Sequence, residues 1–128
     1  MDIRDAVEAD AETLANLTDS PRDVMVNLIH DRTVRVAEDD ESIRGFVSFD
    51  ARDQTVHVTQ LDGAEDACDR LLDEPVRFAR QESMRVEVLI PQPEQTVRDV
   101  VSNAGFERVG TGPQFEGVET VRYRLDTA

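Results

Sequence analysis

TQLDGAEDACDRLLDEPVRFARQESMRVEVLIP, residues 59–91, decides the fold. Its first letters finish a strand-like run, Gly63 interrupts it, and Ala64, Ala67, Cys68, Leu71, Leu72 and Ala79 then recur along one helical stripe. At Met84 the period falls to two: Met84, Val86, Val88 and Ile90 share one side and Leu89 is added opposite, as in a buried central strand. Strand, long helix and strand make a crossover, which joins parallel neighbours. Pro75 has no N–H for the carbonyl one turn back, so a bend or restart of the helix is expected there.

Upstream, TVRVAED, SIRGFVSFD and TVHVTQL are β-branched, alternating runs separated by DDE and ARDQ, which reads as a three-stranded antiparallel meander. Before them, IRDAVEADAETLANL offers a short strand, Asp10 as a cap, and a helix carrying Leu14 and Leu17. Ser20 followed by Pro21 starts a second helix with Val24, Met25, Leu28 and Ile29 on one face. Downstream, Val97, Val100, Val101 and Ala104 form the stripe of a helix from about Glu94 that Gly105 ends as a left-handed cap. FERVGTG and ETVRYRL close the chain as a hairpin around the loop PQFEG. The order β-α-α-β-β-β-α-β-α-β-β predicts a mixed α/β fold, a mostly antiparallel twisted sheet of about seven strands with helices on both faces. At 128 residues, one domain spanning 1–128 is expected.

The net charge is −14, and all 14 basic residues are arginine. Abundant carboxylates without lysine resemble the bias of salt-accumulating halophiles, whose proteins stay soluble where salt shortens the Debye length to ~3 Å or less. No basic patch is available for nucleic acid or an anionic membrane, so neither is expected as a partner. The start MDIRDAVEAD has no basic-then-apolar leader and no run approaches the ~20 apolar residues of a membrane span, so a soluble, cytoplasmic protein is expected. One cysteine, Cys68, excludes an internal disulfide, and two separated histidines make no metal cluster.

The element order, IRGFVSFD in the meander, and Gly105-Phe106-Glu107-Arg108-Val109-Gly110 at the last helix–strand boundary together resemble the GNAT superfamily of N-acetyltransferases across essentially the whole chain. The resemblance implies a V-shaped opening between the fourth and fifth strands that takes acetyl-CoA. It places the pantetheine arm against Val58, Thr59, Gln60 and Leu61, and the pyrophosphate at the turn holding Gly63, Ala64, Asp66 and Ala67. Matching Leu71-Leu72 to the family's paired aliphatics puts Ala64, Asp66 and Cys68 at its glycine positions, and Asp62, Glu65, Asp66 and Asp69 would surround a diphosphate with like charge. The same letters also read as a helix start, Asp62 and Glu65 forming a capping-box-like pair.

The reaction implied is acyl transfer to a small amine or a protein amine. The family's tyrosine acid falls at Val101 here, and its helix asparagine near Glu94; the only tyrosine, Tyr123, is on the last strand. Alternation puts His57, Thr59, Arg85 and Glu87 on one sheet face, so His57 and Glu87 are the candidate bases, or else residues of a half-solvated face paired with arginines. Cys68 belongs to the apolar stripe. His30 is expected near the second helix's terminal carbonyls, and Arg35, Arg44, Arg122 and Arg124 in surface ion pairs, one of which is free to meet an anionic substrate. Two readings stand: an acetyl-CoA-dependent N-acyltransferase, and a binding or interaction module on the same fold without efficient turnover. A homodimer through an exposed sheet edge or the final hairpin is compatible with both.

Overall fold

The computed structural model describes residues 1–114 and 116–127. Its elements are β1 (Asp2–Asp5), α1 (Ala11–Thr18), α2 (Arg22–Asp31), β2 (Thr33–Asp39), β3 (Ser42–Arg52), β4 (Thr55–Gly63), α3 (Glu65–Glu82), β5 (Arg85–Pro91), α4 (Gln95–Asn103), β6 (Glu107–Thr111) and β7 (Thr120–Leu125), with one 3-10 turn at Glu8–Asp10. They form a seven-stranded sheet in the order β1-β2-β3-β4-β5-β7-β6. All neighbours are antiparallel except β4 and β5, the parallel pair that the crossover requires. The predicted mixed fold is the observed one.

The meander turns are tight. Asp40-Glu41 and Asp53-Gln54 both have positive φ, the left-handed pair that matches strand twist in a two-residue hairpin. β3 therefore runs to Arg52, taking in the first two residues of the expected turn ARDQ. The final hairpin is present, but Phe115 of its PQFEG loop lies outside the described residues.

Two apolar layers flank the sheet. α3 and α4 bury Leu71, Leu72, Val97 and Val101 against Val56, Val58, Val86 and Val88, while α1 and α2 cover Val34, Val36 and Phe46. Each large side chain so buried contributes roughly 1.5–3 kcal/mol. α1 buries Leu14, but Leu17 stays exposed; α2 buries Met25, and Val24 stays exposed.

Several local expectations are corrected. α3 runs unbroken through Pro75, whose ring is buried on the helix's apolar face, so packing offsets the missing hydrogen bond. Pro21 is the residue preceding α2 rather than its first residue. Asp10 does not cap α1; its carboxylate accepts from the Val7 N–H at 2.8 Å and from Arg4 Nη1 at 2.8 Å. His30 faces Glu8, Nε2 to Oε2 3.7 Å, not the end carbonyls of α2. Asp62 and Glu65 make no capping box, because Ala64 is the residue at the helix boundary and Asp62 still belongs to β4. The Gly105 cap holds, with φ +96 and the Phe106 N–H donating to the Val101 carbonyl at 3.3 Å.

Candidate active site

β4 and β5 are in register from Thr55↔Arg85 to Val58↔Val88 and no further, although β4 continues to Gly63 and β5 to Pro91. A β-bulge marks the departure: Ser48 faces Gln60 and Phe49 faces Val58, so Thr59 is an extra residue on β4. Its hydroxyl hydrogen-bonds the Ser48 hydroxyl and donates to the Ser48 carbonyl at 3.2 Å, which keeps β4 on β3 while its other edge leaves β5. The main chain from Thr59 to Leu61 thus has no strand partner on the β5 side. The opening leads to a cleft of about 880 Å³ floored by Thr59, Gln60, Leu61, Leu89 and Ile90 and walled by Val24 and Leu28 of α2. That wall explains why α2 leaves apolar side chains exposed.

His57 stands in a row of charge across four strands. Asp50, His57, Glu87 and Arg124 are successive register partners, about 4.8 Å apart from strand to strand. Arg32 Nη1 holds Asp50 Oδ2 at 2.8 Å, and Arg124 Nη2 reaches Glu87 Oε1 at 3.4 Å with Arg122 Nε at 3.9 Å. Each carboxylate beside His57 is therefore bound by an arginine on its far side, and no hydrogen bond joins His57 to either among the described residues. Alternation placed His57 and Glu87 together; it did not find Asp50, whose pairing depends on the hairpin register. Arg35 and Arg44 likewise have carboxylate neighbours, Glu74 at 3.2 Å and Asp66 at 3.7 Å.

Beyond the cleft lies the start of α3. Gly63 has φ +131, and a Cβ there would lie 2.4 Å from the Arg44 carbonyl oxygen, so its glycine is required by the approach of β3. Ala64 is extended and donates its N–H to that same carbonyl at 3.0 Å. Asp66 Oδ1 accepts from the Ala67 N–H at 3.0 Å, placing a built-in anion on the first turn. Burial pushes the Asp62 carboxyl up to about 6, with the negative charge of Glu94 adding to it. Burial, then Asp62, Glu94 and Asp66, push the Cys68 thiol up to about 12, so it is a neutral core group. Tyr123 and Val101 are both buried in the α3–α4 layer, so the chain's only tyrosine is in the core rather than at the cleft. No group of three or more metal-binding side chains occurs among the described residues, and no helix there is long and apolar enough to cross a membrane.

Comparison by sequence finds no matching family model and no matching curated protein. Comparison by structure finds extensive similarity. The ribosomal-protein-alanine N-acetyltransferase of Brucella melitensis superposes with a TM-score of 0.80 at 17% identity, covering 98% of this chain and 99% of that one. An acetyltransferase of the GNAT family from Bacillus cereus gives 0.75 at 15% identity over 99% and 97%. An N-acetyltransferase from Thermoplasma acidophilum in complex with coenzyme A gives 0.76 at 12% over 97% and 98%. The chain has the GNAT fold.

The residues fit one part of acetyl-CoA and not another. An open β4 edge beside an elongated cleft suits a pantetheine arm, whose amides need main-chain partners. The α3 start does not suit a diphosphate: Asp66 already occupies an N–H that would receive it, and the half-buried Asp62 stands beside it with Glu94.

Proposed function

We propose that this chain transfers an acyl group from an acyl-CoA thioester to an amine seated in the cleft between β4 and β5. The observation that carries the reading is the end of β4–β5 pairing at Val58↔Val88 while both strands continue. Bound acyl-CoA supplies an activated thioester carbonyl. Thr59, Gln60 and Leu61 present the main-chain groups that would hold its arm. His57 is not in the cleft lining itself but is the register partner of Asp50, which is; from there it would accept, through water, the proton that an ammonium acceptor must lose to become nucleophilic, with Glu87, held by Arg122 and Arg124, at the next register position. With no tyrosine at the cleft, the departing thiolate takes its proton from solvent. A cytoplasm rich in salt is the setting that suits a net charge of −14 without lysine.

The acids at the start of α3 favour a second reading, a module that binds a thioester or amine without efficient turnover. Titration with acetyl-CoA and with CoA in molar salt, by calorimetry and thermal shift, separates the two. A ligand at roughly 100 times its dissociation constant stabilises the native state by about 2.7 kcal/mol. Binding with amine-dependent thiol release supports the transferase; binding without release leaves the module; no binding removes the transferase.

A further inference from the structure

The unpaired edge of β4 and the start of α3 make opposite demands on a ligand. From Leu61 the chain reaches α3 in four residues, so an arm laid along Thr59–Leu61, its thioester where β4 leaves β5, has its other end at Gly63 and Glu65. A helix start draws anions through the N–H groups that its first turn leaves free. Two of the four at this boundary are in use: the Ala64 N–H donates to the Arg44 carbonyl at 3.0 Å, and the Ala67 N–H to Asp66 Oδ1 at 3.0 Å. The other two belong to Glu65 and Asp66, each beside its own carboxylate. Arg44 reaches this turn from β3, and it already lies beside two acids, Asp39 at 3.8 Å and Asp66 at 3.7 Å. The hollow next to it, about 530 Å³, is lined by Glu65, Asp66, Asp69, Val100 and Asn103, with no basic residue among them.

We infer that the donor this site prefers is an acyl thioester on a pantetheine arm that ends without a diphosphate, with Asp66 and Asp62 the residues that discriminate against acyl-CoA itself. The inference rests on the transfer proposed above and narrows its donor. The amides of the arm ask only for the main-chain groups of Thr59, Gln60 and Leu61 over an apolar floor of Leu61, Leu89 and Ile90, and they carry no charge to be repelled. A diphosphate would bring negative charge to Asp66, on the first turn of α3, and to Asp62, which lines the cleft beside Glu94. Selectivity of this kind comes from repelling the wrong ligand rather than from extra contacts to the right one. The bonds exchanged are those of the transfer above: the amine nitrogen bonds the acyl carbon and loses its proton, the C–S bond breaks, and the pantetheine thiolate takes a proton from solvent.

The test compares acetyl-pantetheine with acetyl-CoA, which share thioester and arm, by calorimetry on the intact chain at fixed salt and pH 8, where Asp62 is ionised. Acetyl-pantetheine should bind at least about tenfold more tightly. Asp66→Asn, which removes the charge and keeps an oxygen for the Ala67 N–H, should reduce that preference to about threefold or less. Asp66→Gly also frees the N–H and should narrow it further. Asp62→Asn should narrow it independently, and serves alone if neither change at Asp66 leaves a folded chain. If acetyl-CoA binds as tightly as acetyl-pantetheine or more so, the inference falls and the transferase stands; a preference that all folded variants keep overturns the inference as well. If the preference is present and depends on these carboxylates but no amine releases thiol from either donor, the selective cleft stands and the transferase falls. If neither donor binds, both fall.

Discussion

Gly45 and Gly63 are register partners on β3 and β4, and neither has room for a side chain. A Cβ on Gly63 would lie 2.4 Å from the Gly45 Cα, and one on Gly45 would lie 2.7 Å from the Asp62 carbonyl oxygen. Gly63→Ala should therefore destabilise the fold by roughly 2–4 kcal/mol in denaturant titration, through the clash and the positive φ together. Asp66→Gly, three residues on, should instead leave stability within about 1 kcal/mol and tighten binding of CoA. If Gly63→Ala folds normally and only CoA binding changes, the glycine serves ligand rather than backbone.

Asp62 should make the native state prefer acid. Its carboxyl rises from an ordinary 3.8 to about 6 on folding, so the folded chain holds this proton more tightly than the unfolded one. Below about pH 4 the group is protonated in both states and imposes no cost; as pH rises through 6 the cost of a buried charge develops, on the order of 3 kcal/mol. Asp62→Asn should match the parent near pH 4 and exceed its stability above pH 7 in urea melts at constant salt. A constant difference across that range would remove Asp62 as the source.

Asp10 has the opposite sign. The hydrogen bond from Arg4, with help from the Val7 N–H, holds its carboxyl below the usual carboxylate range despite partial burial. The stability it contributes is present above about pH 4 and disappears as pH falls through its folded value. Asp10→Asn should cost about 1–3 kcal/mol at pH 7 and progressively less in acid, as the parent loses the same interaction. An equal deficit at every pH would point to packing instead.

Cys68 should be inert in the native protein. It is fully buried, with a thiol pushed up to about 12. Iodoacetamide at pH 8 should alkylate it at least about a hundredfold more slowly than in urea, since the thiolate is the attacking form. Rapid native labelling would mean that the start of α3 opens readily.

If turnover is observed, His57→Ala should lower kcat by roughly 10²–10⁴. Glu87→Gln should reduce kcat less, because Arg122 and Arg124 lose a partner while the imidazole remains. An unchanged kcat in His57→Ala would exclude it as the proton acceptor.

Most of the framework was legible because periodicity reports burial. The shift from period 3.6 to period 2 at Met84 marked the parallel crossover, and alternation alone put His57 and Glu87 on one face. Register was not legible. Asp50 joins His57 only because Asp53-Gln54 makes a two-residue turn, and Thr59 becomes a bulge only in the pairing of β3 with β4. Nor does an acid reveal from its letter whether it is solvated: Asp62 reads as a helix cap, yet β4 carries it two residues beyond Gln60 into a half-buried position beside Glu94. Pro75 misled in the other direction, since tertiary packing holds α3 straight through it.

Among the described residues, Thr55–Val58 against Arg85–Val88, with the Arg85 N–H donated to the Gln54 carbonyl, is the strand pairing between a four-stranded leaf and a three-stranded one. The leaves meet like the pages of a book with a short spine, and α3 and α4, packed on each other across the back, form its binding. How far the pages part is then governed from behind. Substitutions at Leu71, Leu72, Val97 or Val101, remote from the mouth, alter the gape and so the thickness of guest that can be admitted.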